Sequence, residues 1–82
     1  MTKYENQIKI ANLENKIFES VYELKIEIKK LFNVDGGKIE LIKNKGIDDE
    51  YCFFADGFCF SVYIMRGNSG RVFVVETNAD YE

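Results

Sequence analysis

The stretch that decides the fold is Tyr51 to Met65, YCFFADGFCFSVYIM. It consists of two aromatic-rich runs joined by Asp56-Gly57, the dipeptide that best fits a two-residue type I′ turn. This pattern predicts a β-hairpin. With Asp56-Gly57 as the loop, Phe53 opposes Phe60, so the register of the hairpin follows from the turn.

Two further runs extend this hairpin into a sheet. Residues 38–43, KIELIK, alternate between polar and apolar positions, which is typical of a short strand. Gly67 to Gly70 predicts a second tight turn, after which residues 71–77 form the last strand and the acidic end of the chain frays. We therefore expect a four-stranded antiparallel meander with strands at about 38–43, 50–55, 58–66 and 71–77.

The first third of the chain predicts one long amphipathic helix over residues 3–32 or so. Thr2 and Glu5 fit a capping box at its start. Apolar residues then recur every three or four positions, as Ile10, Leu13, Ile17, Val21, Leu24, Ile28 and Leu31. Asn12 to Asn15 is the one place where the helix could break, with residues 7–11 then extended. The predicted fold is a single α+β domain over residues 1–82, with the helix packed on the sheet.

The predicted register gives the sheet two apolar faces. With Gly67 to Gly70 as the loop, Ile64 opposes Phe73 and Val62 opposes Val75. The face expected to receive the helix contains Tyr51, Phe53, Ala55, Phe58, Phe60, Val62, Ile64, Phe73 and Val75. The opposite face contains Glu50, Cys52, Phe54, Cys59, Ser61, Tyr63, Met65, Val72, Val74 and Glu76.

That second face is too apolar for a face exposed to water, because a solvated antiparallel sheet face is usually polar. One helix can cover only one side of the sheet. Three arrangements resolve the conflict: the helix breaks and covers the second face, the protein dimerises through the helix overhang or the sheet, or another protein binds there.

The second face supplies most of the candidate protein-binding residues. They are Phe54, Cys59, Tyr63, Met65, Val72 and Val74 from the sheet, Phe18, Tyr22 and Ile26 from a second row of the helix, and Asp48, Asp49 and Glu50 from an acidic cluster. The acidic cluster lacks the ligand spacing of a known metal-binding loop. The cluster is typical of a solvated loop, and contact with a basic partner is the alternative for which it is included here.

The charge distribution provides the alternative function. The net charge of −3 disfavours binding to a phosphate backbone. Residues 25–45, however, hold six lysines against three acids, so nucleic-acid binding through this segment is the alternative. Residues 57–63 also resemble the RNP1 strand of RNA-recognition motifs at Gly57, Phe58, Phe60 and Tyr63. Because Asp56 replaces the expected basic residue and the order of elements differs, we do not assign that family.

The sequence offers little catalytic chemistry. It has no histidine, and Cys52 and Cys59 cannot form a four-ligand zinc site alone, so we predict no enzyme, metal or cofactor. No run is apolar enough for a membrane span or an export signal, which favours the cytoplasm. We expect a small protein-binding inhibitor or regulator, with a homodimer expected, from a phage or mobile element. That origin rests on small size and on the abundance of residues with AT-rich codons.

Overall fold

The computed structural model describes residues 2–82 and contains two short helices and a five-stranded antiparallel sheet. The helices are α1 (Lys3–Ala11) and α2 (Val21–Phe32), and a 3₁₀ turn spans Gly36–Lys38. The strands are β1 (Ile17–Phe18), β2 (Glu40–Lys45), β3 (Asp48–Ala55), β4 (Phe58–Arg66) and β5 (Val72–Tyr81). Their order across the sheet is β1-β5-β4-β3-β2, so the meander from β2 to β5 gains the short β1 at one edge.

The prediction of one long helix on a four-stranded sheet is wrong, and the chain between the helices shows why. α1 ends at the cap residue Asn12, and Asn15 adopts a left-handed φ of 66° that no α-helix contains. The next residues form β1, which pairs with β5. Ser20 then starts α2 by accepting a hydrogen bond from the Glu23 backbone N–H. The break falls at the predicted place, but α1 is helical rather than extended.

Both helices pack on the same face of the sheet and build one apolar core with it. Ile10 of α1 and Leu24 and Ile28 of α2 are almost completely buried there. Phe32 lies against the hairpin, with its ring centroid 4.5 Å from that of Phe60. α1 lies on β5, and α2, which follows β1, packs on the same side of the sheet. The other face of the sheet therefore has no helix on it.

The register of the β3–β4 hairpin is the predicted one. Phe53 pairs with Phe60 and Ala55 with Phe58, around a turn in which Asp56 and Gly57 both have positive φ. That combination is what a type I′ turn requires, and it explains the Asp-Gly sequence.

The predicted register of β4 and β5 is wrong by one residue at Ile64 and by two residues at Val62, which pairs with Thr77 instead of Val75. The loop after Arg66 is longer than expected, so Ile64 pairs with Val74, and a bulge follows between Tyr63 and Ile64. A shift of one residue exchanges the two faces of a strand. Val72 and Val74 are therefore buried in the core, at 1% and 0% exposure, whereas Phe73 and Val75 lie on the opposite side.

The strand limits also differ from those expected. β5 continues to Tyr81, whose ring lies 4.9 Å from that of Phe58, so the end of the chain is paired rather than frayed. At the other edge, β2 runs over Glu40–Lys45 instead of residues 38–43, and a turn at Gly46 connects it to β3. Within residues 2–82, neither helix has the length and apolarity needed to cross a lipid bilayer.

Candidate protein-binding face

The side of the sheet away from the helices is the candidate site, and we call it the open face. Its apolar members come from four strands: Ile17, Cys52, Phe54, Cys59, Tyr63, Met65, Phe73 and Val75. Its charged members are Glu40, Lys43, Lys45, Asp48, Glu50, Glu76 and Asp80. Strand alternation sets this membership, because directly paired residues project to the same side of a sheet.

The most exposed apolar members lie at the two ends of the open face, with Cys52 and Tyr63 between them. Met65 pairs with Phe73, which in turn pairs with Ile17, so three apolar side chains cross three neighbouring strands in one row. Ile17 is 66% exposed and Phe54, at the other end of the face, is 55% exposed. Exposure of this much aromatic and aliphatic surface on one side of a domain is typical of a contact surface for another molecule.

The charged members lie mainly along the β2 edge of the open face. Lys43 pairs with Glu50 across β2 and β3, and Lys45 pairs with Asp48. Glu50 also pairs with Tyr63 on β4. Burial, followed by the neighbouring Glu50 carboxylate, raises the pKa of the Tyr63 hydroxyl, so this group remains a neutral hydrogen-bond donor.

A shallow cavity of about 280 Å³ lies where the apolar and charged parts of the open face meet. Tyr63, Met65 and Val75 form its apolar wall, and Lys43, Lys45 and Glu50 form its polar side. A cavity of this kind can receive one apolar side chain of a partner, with polar groups of both signs around it.

Cys52 and Cys59 lie diagonally across β3 and β4 on the open face, and both thiols are free. Burial, and then the adjacent Cys59 thiol, raises the pKa of the Cys52 thiol. A raised pKa keeps the thiol protonated at neutral pH, which makes it a poor nucleophile and a poor metal ligand.

Four of the six sheet residues proposed for binding share the open face, with Phe54 and Cys59 near the hairpin turn and Tyr63 and Met65 towards the opposite end. The placement of Val72 and Val74 there is wrong, because the shifted register buries both beneath the helices. Their places on the surface are taken by Phe73 and Val75, which the predicted register assigned to the core.

The predicted helical row of Phe18, Tyr22 and Ile26 does not form one surface. Phe18 lies in β1 and packs partly into the core, so it is not part of a helix. Tyr22 and Ile26 are on α2, where Tyr22 is exposed and Ile26 is half-buried. Because α2 packs on the covered side of the sheet, this row cannot extend the open face.

The acidic cluster divides between the two sides of β3. Asp48 and Glu50 belong to the open face, where Asp48 is exposed and Glu50 is half-buried. Asp49 points the other way, and its buried carboxylate forms an ion pair with Arg66 and accepts a hydrogen bond from Asn44. Asp49 is therefore occupied within the fold and is not a free contact for a basic partner.

The residues considered for nucleic-acid binding are dispersed. Lys25 lies over the Tyr51 ring and Lys29 lies 3.8 Å from Asp35, on the helix side of the molecule. Lys43 and Lys45 are on the open face, each opposite an acid. Of the aromatic residues in the RNP1-like strand, Phe58 and Phe60 are buried and cannot stack on a base.

Ile17, Phe73 and Val75 are the apolar open-face residues that the sequence did not indicate. For Ile17, the Asn-rich segment that precedes it was a usable signal, because a break of the helix there removes Ile17 from the helix. Residues 72–75 are all apolar, so alternation could not tell which of them face outward.

No group of three or more potential metal ligands occurs within residues 2–82. Comparisons of the chain with protein-family models, with curated proteins and with solved structures find no match.

Proposed function

We propose that this chain is a small non-catalytic module that binds another protein through its open face. The observation that carries the proposal is the one-sided placement of the helices, which leaves Ile17, Phe54, Met65 and Val75 exposed on the other side. A row of apolar side chains beside paired charges resembles the composition of a protein interface, which combines apolar and polar surface.

In this proposal the module acts by occupancy, as a stoichiometric inhibitor or regulator of its partner. The apolar row supplies most of the binding free energy through removal of surface from water. Lys43, Lys45, Asp48 and Glu50 at the β2 side select a partner whose charges match. A cytoplasmic setting, where the two thiols stay reduced, and a phage or mobile-element source belong to the same proposal.

We favour a protein partner over a nucleic acid because the lysines of residues 25–45 are spread over both sides of the sheet and several lie close to acids. A nucleic-acid interface needs cations gathered on one surface. The two functions predict different salt dependence, since binding through phosphate contacts weakens steeply as salt is added.

The test compares three forms of the tagged protein in affinity capture from its source cells, with the captured proteins identified by mass spectrometry. The wild type should retain a defined partner at a constant molar ratio. The double variant Phe54→Lys/Met65→Lys should lose that partner, because two buried lysines without counter-ions oppose docking of an apolar surface.

The matched control is Tyr22→Lys, which adds one lysine at an exposed position on the helix side. It should retain the partner as the wild type does. Circular dichroism establishes that each variant is folded. Capture of the same proteins by the double variant, at wild-type yield, would show that the open face is not the binding surface.

A further inference from the structure

The rest of the chain covers backbone hydrogen-bonding groups along one edge of the sheet and leaves those along the other edge uncovered. At the β5 edge, the Asn15 N–H donates to the Val74 carbonyl and the Val74 N–H donates to the Lys16 carbonyl, both at 2.9 Å. Further along, the Thr77 N–H donates to the Glu14 carboxylate at 3.1 Å. Residues before α2 therefore occupy hydrogen-bonding groups of β5 between Val72 and Thr77, which hinders the addition of a further strand along that part of β5.

The β2 edge has no such cover. β2 pairs with β3 on one side, and no strand of residues 2–82 pairs with its other side. All six of its residues are exposed, including Leu41 at 48% and Ile42 at 52%. An exposed edge strand with apolar residues is a template for pairing with another strand.

The sequence of β2 is self-complementary when two copies run antiparallel. Glu40-Leu41-Ile42-Lys43 places an acid at one end and a base at the other, with two apolar residues between. In an antiparallel pair with a two-fold axis between Leu41 and Ile42, each Glu40 faces Lys43 of the second copy. Leu41 of each copy then faces Ile42 of the other.

The bulge in β2 is what makes this pairing possible. In a regular strand, residues three apart project to opposite faces, so Glu40 and Lys43 could not meet across a two-fold axis. Here Ile42 is an extra residue, with the register shifting between Leu41 and Lys43. Glu40 pairs with Cys52 and Lys43 pairs with Glu50, so both project to the open face.

We propose that a second copy of this chain binds at the β2 edge, so that two β2 strands pair antiparallel and join the two sheets into one. This inference goes beyond the proposed function, because it rests on the unpaired backbone edge of β2, although the side chains of Glu40 and Lys43 also belong to the open face. The dimer places both open faces on the same side of a continuous sheet. A partner with two matching surfaces then meets two linked sites, which raises its overall affinity.

The experiment is a charge exchange at the two residues that the pairing brings together. Light scattering over a dilution series should give the wild type a mass of twice the 9.5 kDa chain. Glu40→Lys places two lysines opposite each other at both ends of the interface, and should weaken the dimer about ten-fold or more in Kd. The double variant Glu40→Lys/Lys43→Glu should restore the dimer, since each pair again joins opposite charges.

The matched control is Lys30→Glu, which changes an exposed lysine of α2 and should leave the dimer unchanged. Hydrogen exchange of the β2 amides gives a second measurement, because these amides should become protected in the dimer and exchange rapidly in Glu40→Lys. A monomeric wild type at high concentration overturns the proposal. The proposal is also overturned if Glu40→Lys leaves the dimer unchanged, or if Glu40→Lys/Lys43→Glu does not restore it. Either result would mean that the two copies meet at another surface.

Discussion

The carboxylate of Asp49 lies 3.1 Å from Nε of Arg66, in an ion pair that fastens the β2–β3 hairpin to the end of β4. The Asp49 side chain is only 3% exposed, and its second oxygen accepts a hydrogen bond of 2.7 Å from Asn44. Arg66 also donates to the Gly46 carbonyl in the turn. A single carboxylate thus links three parts of the β2 side of the sheet.

Replacement of Asp49 should therefore cost more stability than replacement of its exposed neighbour. Asp49→Ala removes the acceptor of the Asn44 hydrogen bond and the partner of the Arg66 ion pair, and should lower the free energy of unfolding by about 1–3 kcal/mol. The cost stays below that of a fully buried pair because the Arg66 side chain is 40% exposed and can be hydrated. Urea denaturation measures the change, and Asp48→Ala, at an exposed position, should stay within about 1 kcal/mol of the wild type.

Asn6 offers a route to a more stable protein. Its side chain is fully buried on α1, and its Oδ1 has no hydrogen-bond partner among residues 2–82, whereas its Nδ2 donates to the Thr2 carbonyl. Asn6→Leu replaces the unsatisfied amide with an apolar group branched at the same position and should raise the free energy of unfolding by about 1 kcal/mol.

A charged side chain at position 6 tests whether burial of a polar group is what lowers the stability. Asn6→Asp places a carboxylate in the same buried position and should be destabilising. Thermal denaturation of both variants beside the wild type gives the order of stability. If Asn6→Asp proves as stable as Asn6→Leu, burial of the polar group is not the cause.

Glu14 binds a backbone N–H on the side of β5 that faces away from β4. The variants Glu14→Ala and Glu14→Gln should distinguish the contribution of its charge from that of its hydrogen bonds. One of its oxygens accepts from both the backbone N–H and the hydroxyl of Thr77, at 3.1 and 2.7 Å. Glu14→Ala leaves that N–H unpaired and should cost about 1–2 kcal/mol. Glu14→Gln keeps an acceptor oxygen and should retain much of the stability. Equal losses in the two variants, measured by urea denaturation, would indicate that the charge alone matters.

The free energy of unfolding should fall at alkaline pH because the Tyr51 hydroxyl loses its proton. Burial, and then the charge of Asp49, raises the pKa of the Tyr51 hydroxyl above its usual value of 10.0. The unfolded chain therefore releases this proton first as the pH rises, which favours unfolding. The stabilising contribution is complete below pH 10 or so and is lost as the pH rises through the folded-state pKa. Burial raises the pKa of the Cys52 thiol above 9.0, so a similar loss begins at a lower pH.

Denaturation in urea between about pH 8 and pH 11 measures this dependence, with the window set by the usual pKa values of the two groups. Tyr51→Phe should reduce the fall above about pH 10, and Cys52→Ala should reduce the part that begins near pH 9. An unchanged profile in Tyr51→Phe would mean that another group causes the alkaline loss.

The hairpin and its register were predictable because one short turn determines both. Asp56 and Gly57 supply the two positive φ values that a type I′ turn needs, so the pairing of Phe53 with Phe60 follows from local chemistry. The register of β4 and β5 depends instead on a longer loop and on a bulge at Val75 of β5. Neither the loop length nor the bulge can be recognised in a run of apolar residues such as 72–75, because each of these residues is compatible with either face of the sheet.

The long helix was a wrong prediction for a related reason. Ile10, Leu13, Leu24 and Ile28 are all buried, so the helical spacing does describe residues that face one core. Two separate helices that pack on the same side of a sheet preserve most of that spacing, although Ile17, a member of the same series, lies on the open face. The pairing of β1 with β5, which ends the first helix, joins residues far apart in the sequence and overrides local helix propensity.

The ion pair of Lys3 with Asp80, at 3.0 Å, joins the first turn of α1 to the end of β5. α1 packs mainly on β5, and β1 pairs only with β5, so the earliest elements depend on the latest one. During synthesis on the ribosome, the apolar side of α1 has no surface to cover it until β5 emerges. Folding of this sheet consequently waits until residues 72–81 have been synthesised, and a pause before residue 72 leaves α1 and β1 exposed to chaperones and proteases.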